Sequence, residues 1–202
     1  MKFVLVLYPK PFNCYSKFER KLVKLLKNLD NVVLVFDDDH NGLISRFALA
    51  HNYESERVET SVLLDFDKLT HAVVFSDGEE FCYQVKTLRN SKIKTNVQKI
   101  KITRVVNIKS DPVFHGTKNS EDYEYIGRGS PWGNPYPIGV DGDDRDEVLR
   151  KYKYDFDHDK FLNVSKNSML KLAGKRLGCF CKPYDCHGDF IADYLNSYDD
   201  GE

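Results

Sequence analysis

The order of strand-like and helix-like segments predicts an α/β chain. An α/β layer domain with a mainly parallel sheet is expected over residues 1–102, followed by a compact α+β domain over residues 103–202. Two observations carry the first part. Phe-Val-Leu-Val-Leu at residues 3–7 and Val-Val-Leu-Val-Phe at residues 32–36 are apolar without alternation, as strands buried on both faces are. The segments between such runs repeat their apolar residues at helical spacing. A third observation separates the second half. Three glycines and three prolines fall in the thirteen residues 125–137, so a fixed irregular loop interrupts the rhythm there.

Composition bounds the answer. A chain of 202 residues that is 41% hydrophobic and 13% aromatic can build a real core, which excludes a disordered protein. Its 30 basic and 31 acidic residues leave a net charge of -1, so only a local basic patch can draw it to nucleic acid. No apolar run approaches the roughly 20 residues of a membrane span. The N-terminus reads as a first strand and not as a signal peptide. Five cysteines, an odd number with three clustered, suit a reducing compartment better than a disulfide framework, so a cytoplasmic location is expected.

Residues 3–7 make the first strand, ended by Pro9 and Pro11. Phe18, Leu22, Leu25, Leu26 and Leu29 mark a helix, residues 32–36 a second strand, and Leu43, Phe47 and Ala50 a second helix. A third strand is expected over residues 58–64 and another over residues 72–75. Phe81, Val85 and Leu88 give a further helix, and Val97, Ile100 and Ile102 alternate as a strand does. In such a sheet ligands lie beyond the carboxyl ends of the strands, here residues 8–15, 37–42 and 76–80. Asp37, Asp38 and Asp39 in the second of these would repel an anion; they hold a hard cation or are simply solvated.

The second half opens with a strand at residues 104–108, then a polar loop at residues 110–124. In the loop at residues 125–137, Arg128 can fork onto a phosphate or carboxylate, Trp132 offers a stacking face, and Asn134 offers both a donor and an acceptor. The bland alternative makes Trp132 core, Asn134 a turn clamp and Arg128 the partner of an internal acid. Asp144 followed by Glu147 is a capping-box-like helix start with Val148 and Tyr152 inward. Arg145 in its first turn opposes the helix dipole, which suggests contact with something else. Leu162, Met169 and Leu172 suggest a helix closed by Gly174. A strand at residues 176–181 and a helix at residues 188–196 flank the motif Gly-Cys-Phe-Cys-Lys-Pro-Tyr-Asp-Cys-His-Gly-Asp. The last six residues read as a frayed acidic tail.

That motif supports three readings. Cys179, Cys181, Cys186 and His187 supply four zinc-type donors, although their spacing is not that of the common Cys-x-x-Cys knuckle. Alternatively, Cys186 and His187 precede a helix whose free N–H groups lower a thiol pKa or hold a phosphate. A Cys186 thiolate beside His187, with Asp189 orienting the imidazole or acting as base, would be catalytic. The third reading makes the cysteines small buried hydrophobes and His187 a cap or a polar core residue.

Two resemblances add to this. The strand followed by Asp-His-Asn-Gly-Leu-Ile-Ser-Arg-Phe-Ala, with Ala-Val-Val-Phe-Ser-Asp-Gly before a helix, resembles the SLOG superfamily of Rossmann-like nucleotide-binding domains. Members usually carry glycine-rich loops where this chain has its three aspartates, so the domain is either a ligand binder or a scaffold. The blocks Val-Val-Asn-Ile, Tyr-Ile-Gly-Arg-Gly-Ser-Pro-Trp-Gly-Asn-Pro-Tyr, Asp-Arg-Asp-Glu-Val-Leu-Arg-Lys-Tyr and the Cys/His motif look like a small domain family of unknown function in bacteria and their phages. That likeness carries over Asn107, Gly127, Arg128, Gly133, Asn134, Pro135, Arg145, Cys179, Cys181, Pro183, Cys186, His187 and Asp189. It implies a phage origin, and then a place in the host cytoplasm.

The expected function is recognition, and conceivably processing, of a nucleotide or nucleobase-containing ligand. Asn107, Gly127, Arg128, Trp132, Gly133, Asn134 and Arg145 would form its pocket. The first domain would supply a second nucleotide site or an assembly surface, including one between copies of the chain. The other class is a non-enzymatic zinc module that binds protein or nucleic acid.

Overall fold

The computed structural model describes residues 1–59, 67–115, 118–140, 142–161 and 164–201. They form two compact units, one of Met1–Lys101 with Ser197–Glu202 and one of Ile102–Asn196.

In the first unit β1 (Lys2–Leu7), β2 (Val32–Phe36), β3 (Glu54–Arg57), β4 (Leu69–Ser76) and β5 (Lys94–Lys99) form one parallel sheet in the order β3-β2-β1-β4-β5. Helices α1 (Tyr15–Leu26), α2 (Leu43–His51) and α3 (Cys82–Asn90) lie along the connections. Burial explains which strands the sequence announces. Every residue of β2 is buried, as are Val4 to Leu7 of β1, because these strands pack on both faces. One side is aromatic, with Phe18 stacked on Phe75 at 5.0 Å and edge-on to Phe47 at 6.0 Å. The other is aliphatic, built on Leu5, Leu7, Val35, Val74 and Leu88.

The edges differ from expectation. The sheet edge is Glu54–Arg57, four exposed residues just before the strand expected over residues 58–64. Val58 adds one more ladder bond, its N–H donating to the Phe36 carbonyl at 2.8 Å, and residues 60–66 lie outside the described residues. An edge strand needs no apolar alternation, and charged side chains there discourage pairing with another sheet. The polar β5 follows the same rule, and the buried Ile100 and Ile102 come after it. The acidic tail is not frayed over its described part. Lys17, 5% exposed, donates to both carboxylate oxygens of Asp200 at 2.8 and 2.7 Å, and Arg20 forks onto Asp199.

In the second unit β6 (Arg104–Asn107), β7 (Tyr123–Tyr125) and β8 (Arg176–Cys179) form a three-stranded sheet, order β6-β8-β7, parallel throughout. Strand and helix therefore interleave here too. β7 arises at the end of the expected loop 110–124. Helix α4 (Arg145–Asp157) buries Val148, Tyr152 and Phe156. Its Asp144 cap accepts from the Glu147 N–H at 2.9 Å, while the Glu147 side chain turns to Arg150, so the capping box is half made. The helix expected near residues 162–172 is α5 (Lys166–Met169) continued by a 3-10 turn, Leu170–Leu172; Leu162 lies outside the described residues. Helix α6 (His187–Ser197) ends the unit, starting one residue earlier than expected. β8 stops at Cys179, so Cys181 stands beyond the strand.

Candidate functional site

A parallel sheet delivers all its carboxyl ends to one side. The register pairs Asn107 with Cys179 and Tyr125 with Gly178, so the ends of β6, β7 and β8 are level. The three segments that follow them, residues 108 onward, 126–137 and 180–186, are therefore neighbours.

The loop at residues 126–137 is fixed by short contacts. The Ile126 N–H donates to the Gly178 carbonyl at 2.9 Å, and the Tyr125 hydroxyl to the Arg128 carbonyl at 3.1 Å. A side chain on Gly133 would start 2.7 Å from the Gly127 carbonyl oxygen, so only glycine lets the two ends of the loop approach. Asn134 works within the loop. Its Oδ1 accepts from the Tyr136 N–H at 2.9 Å and its Nδ2 reaches the Val148 carbonyl at 3.5 Å. Trp132 is buried in the core, its indole N–H donating to Glu124 at 3.1 Å and Lys171 lying over its ring. Trp132 and Asn134 thus have the structural duties that were their alternatives. Arg128 differs: it is exposed, and no described residue bonds its guanidinium.

Asn107 holds the next turn. Its Nδ2 donates to the Lys182 and Phe180 carbonyls, and its Oδ1 accepts from the Lys109 N–H at 2.8 Å. This clamps the turn that carries the sulfur donors. The Cys179 and Cys181 sulfurs lie 3.4 Å apart. One donor atom each from Cys179, Cys186 and His187 fall within 4.8 Å of one another, all buried. Among the described residues no other set of three such groups converges, so the Asp37–Asp39 run builds no cation cage. His187 is 3% exposed, edge-on to Tyr152; its Nε2 bonds the Ile126 carbonyl at 2.9 Å and its Nδ1 faces the Cys186 sulfur at 3.7 Å. With Nε2–H donating to this carbonyl, the proton stays on Nε2 and the Nδ1 lone pair is turned toward the sulfurs.

Two features bear on the catalytic reading. Asp189 does not orient His187. Its carboxylate accepts from the Cys186 N–H at 3.0 Å, capping α6, and pairs with Lys182 at 2.7 Å. The second feature is at Cys186: the Gly188 N–H donates to its sulfur at 3.4 Å, while the neighbouring Cys179 and burial push this thiol up. Hydrogen bonds from Cys186 and the Cys181 N–H pull the Cys179 thiol down against the cost of burial. Burial and Cys179 raise Cys181, with Arg145 opposing. Burial keeps His187 below its ordinary value, hence neutral.

A cavity of about 300 Å³ opens over this floor. Gly127, Arg128, Arg145, Cys179, Cys181 and His187 all line it, so the loop, α4 and the Cys/His turn meet at one place. Cys186 is not in the lining. Arg145 donates to the Asp185 carbonyl at 3.3 Å and lies 5.3 Å over the exposed Tyr184 ring. Tyr184 and the half-exposed Phe180 went unnoticed in the sequence, as did the Ile126 carbonyl and Lys182. A larger cavity, about 620 Å³, lies along residues 128–137 with Tyr152 and Phe161, away from the sulfurs.

In the first unit the expected crevice is occupied by its own side chains. Asp39 accepts from the Ile44 and Ser45 N–H groups at 3.0 and 2.8 Å, from the Ser45 hydroxyl and from Tyr8. Burial raises this carboxyl, but those hydrogen bonds outweigh it and hold the group below its usual range. The free N–H groups at the start of α2, a natural phosphate seat, are therefore taken by an internal anion. Asn41 fastens the neighbouring loop to the Lys10 and Phe12 carbonyls at 2.8 and 2.9 Å.

Fold and site together define a two-unit α/β protein, with a Rossmann-like parallel sheet and a small parallel unit carrying a Cys/His turn beside a cationic cavity. Its first part belongs to the Minimal SLOG domain family, which matches residues 1–106. Residues 106–197 match a domain of unknown function, DUF4326. The chain is 40% identical over 81 residues to the uncharacterized 12.4 kDa protein of the nrdA-td intergenic region of Enterobacteria phage T4, which spans 39% of this chain and 73% of that protein. No solved structure matches. The SLOG domain implies a nucleotide-like ligand in general. Among the described residues no helix is long and apolar enough to cross a membrane.

Proposed function

We propose that the second unit binds a nucleotide or nucleobase-containing ligand in the 300 Å³ cavity at the carboxyl ends of its sheet. The observation that carries this is the unpaired Arg128 guanidinium facing the same cavity as Arg145. An arginine without an internal acid is available to a phosphate. Gly127 contributes close backbone, and Phe180 adds an aromatic ring to the lining. The volume is at the small end for ligand sites, which favours a single base or sugar phosphate over a dinucleotide. The self-capped α2 in the first unit adds to the case for placing recognition here, with the SLOG unit as a second site or an assembly surface. With a relative in a phage, this reading extends to phage nucleotide or DNA metabolism, or counter-defence, as its setting.

A panel of nucleoside monophosphates, nucleobases and inorganic phosphate tests this by thermal denaturation. Binding at about 100 times the Kd adds about 2.7 kcal/mol to the native state. Arg128→Ala with Arg145→Ala should abolish the upward shift and leave the ligand-free transition in place. A shift that survives the double substitution would put the ligand elsewhere.

A further inference from the structure

We propose that Cys179, Cys181, Cys186 and His187 bind one zinc ion, with His187 ligating through Nδ1. Three of these donors are buried and converge within 4.8 Å of one another. Two ligands bound at about 2.0–2.3 Å to one tetrahedral ion sit roughly 3.5–3.8 Å apart. The Cys186 Sγ to His187 Nδ1 separation of 3.7 Å lies within that spacing, and the Cys179–Cys181 separation of 3.4 Å is shorter than it, so the two sulfurs would part slightly around an ion. The imidazole is oriented for it. Nε2 donates to the Ile126 carbonyl, the outer-sphere bond that fixes the tautomer of a metal-bound histidine. Sulfur and nitrogen donors in this ratio select zinc over hard cations. Asn107 is the second support, since it clamps the Phe180 and Lys182 carbonyls on either side of Cys181.

The four ligands are not equivalent. Cys186 lies away from the cavity, whereas Cys179 and Cys181 line it. Cys181, half-buried and 3.4 Å from the Cys179 sulfur, stands outside the converging trio; a movement of its side chain toward Cys186 and His187 gives the fourth position, on the side that faces the cavity. This inference is independent of the nucleotide reading.

The test is the zinc content of the full-length protein purified under reducing conditions, followed by Co²⁺ titration of the chelator-stripped protein. One zinc per chain and the intense visible absorption of a tetrahedral thiolate–cobalt centre are expected. Cys181→Ser should keep one equivalent with weaker sulfur-to-cobalt charge transfer and at least about tenfold lower affinity. Cys82→Ser should change nothing. A folded wild-type chain with no zinc and no tetrahedral cobalt spectrum overturns the site, whatever the variants do. Unaltered charge transfer and affinity in Cys181→Ser overturn the fourth ligand.

Discussion

At the residue scale, the side chains that looked most like ligand contacts divide into holders and available groups. Asn107, Asn134 and Asp189 have their polar atoms on backbone groups or on Lys182, and they shape the turns. Arg128 is left free to meet something else. Asn107→Ala removes two amide bonds to carbonyls and an acceptor for the Lys109 N–H, so it should cost about 1–3 kcal/mol in chemical denaturation. Gly133→Ala forces a carbon onto the Gly127 carbonyl oxygen and should cost a similar amount, about 1–3 kcal/mol. A wild-type midpoint in both variants would show that the loop and turn are less constrained than their contacts indicate.

At the element scale, the start of α2 is closed by Asp39. A carboxyl whose folded pKa is depressed stabilises the fold above its unfolded pKa, about 3.9, and the stabilisation fades as pH falls through the lower folded value. Asp39→Asn should therefore lose about 1 kcal/mol at neutral pH, as lost helix caps do. Its stability should also depend less on pH than the wild type's between about pH 5 and the folded value. Equal acid sensitivity in both proteins would show that other carboxyls set it. The tail acts on α1 in the same unit. Asp200→Ala leaves the buried Lys17 ammonium without that carboxylate and should destabilise by about 1–2 kcal/mol, discounted because Asp200 is partly exposed. Legibility varied with burial. β1, β2 and β4 were readable because they pack on both faces. The edge strand Glu54–Arg57 and the three-residue β7 were not, because pairing with a neighbour, rather than an apolar pattern, defines them. The tail misled because charge alone cannot distinguish a solvated end from one paired with Lys17 and Arg20. The Cys/His turn was legible as a cluster, but the Ile126 carbonyl that orients His187 comes from a distant loop.

At the scale of the whole molecule, the two units use the same parallel architecture in different ways. The SLOG unit fills the start of α2 with Asp39, while the second unit leaves a cavity with two arginines over a sulfur and imidazole floor. The proposed recognition site is in the second unit, where Arg128 has no partner among the described residues and lines the same cavity as Arg145. Equilibrium titration of the full chain with nucleoside monophosphates, beside the Arg128→Ala, Arg145→Ala double variant, tests this most directly. Saturable binding by the wild type, weakened at least about tenfold in a variant that keeps its native transition, is the predicted result; each lost charged contact costs about 1.5–3 kcal/mol. Binding that the double variant retains in full, or no binding by the wild type to any of them, would contradict the account.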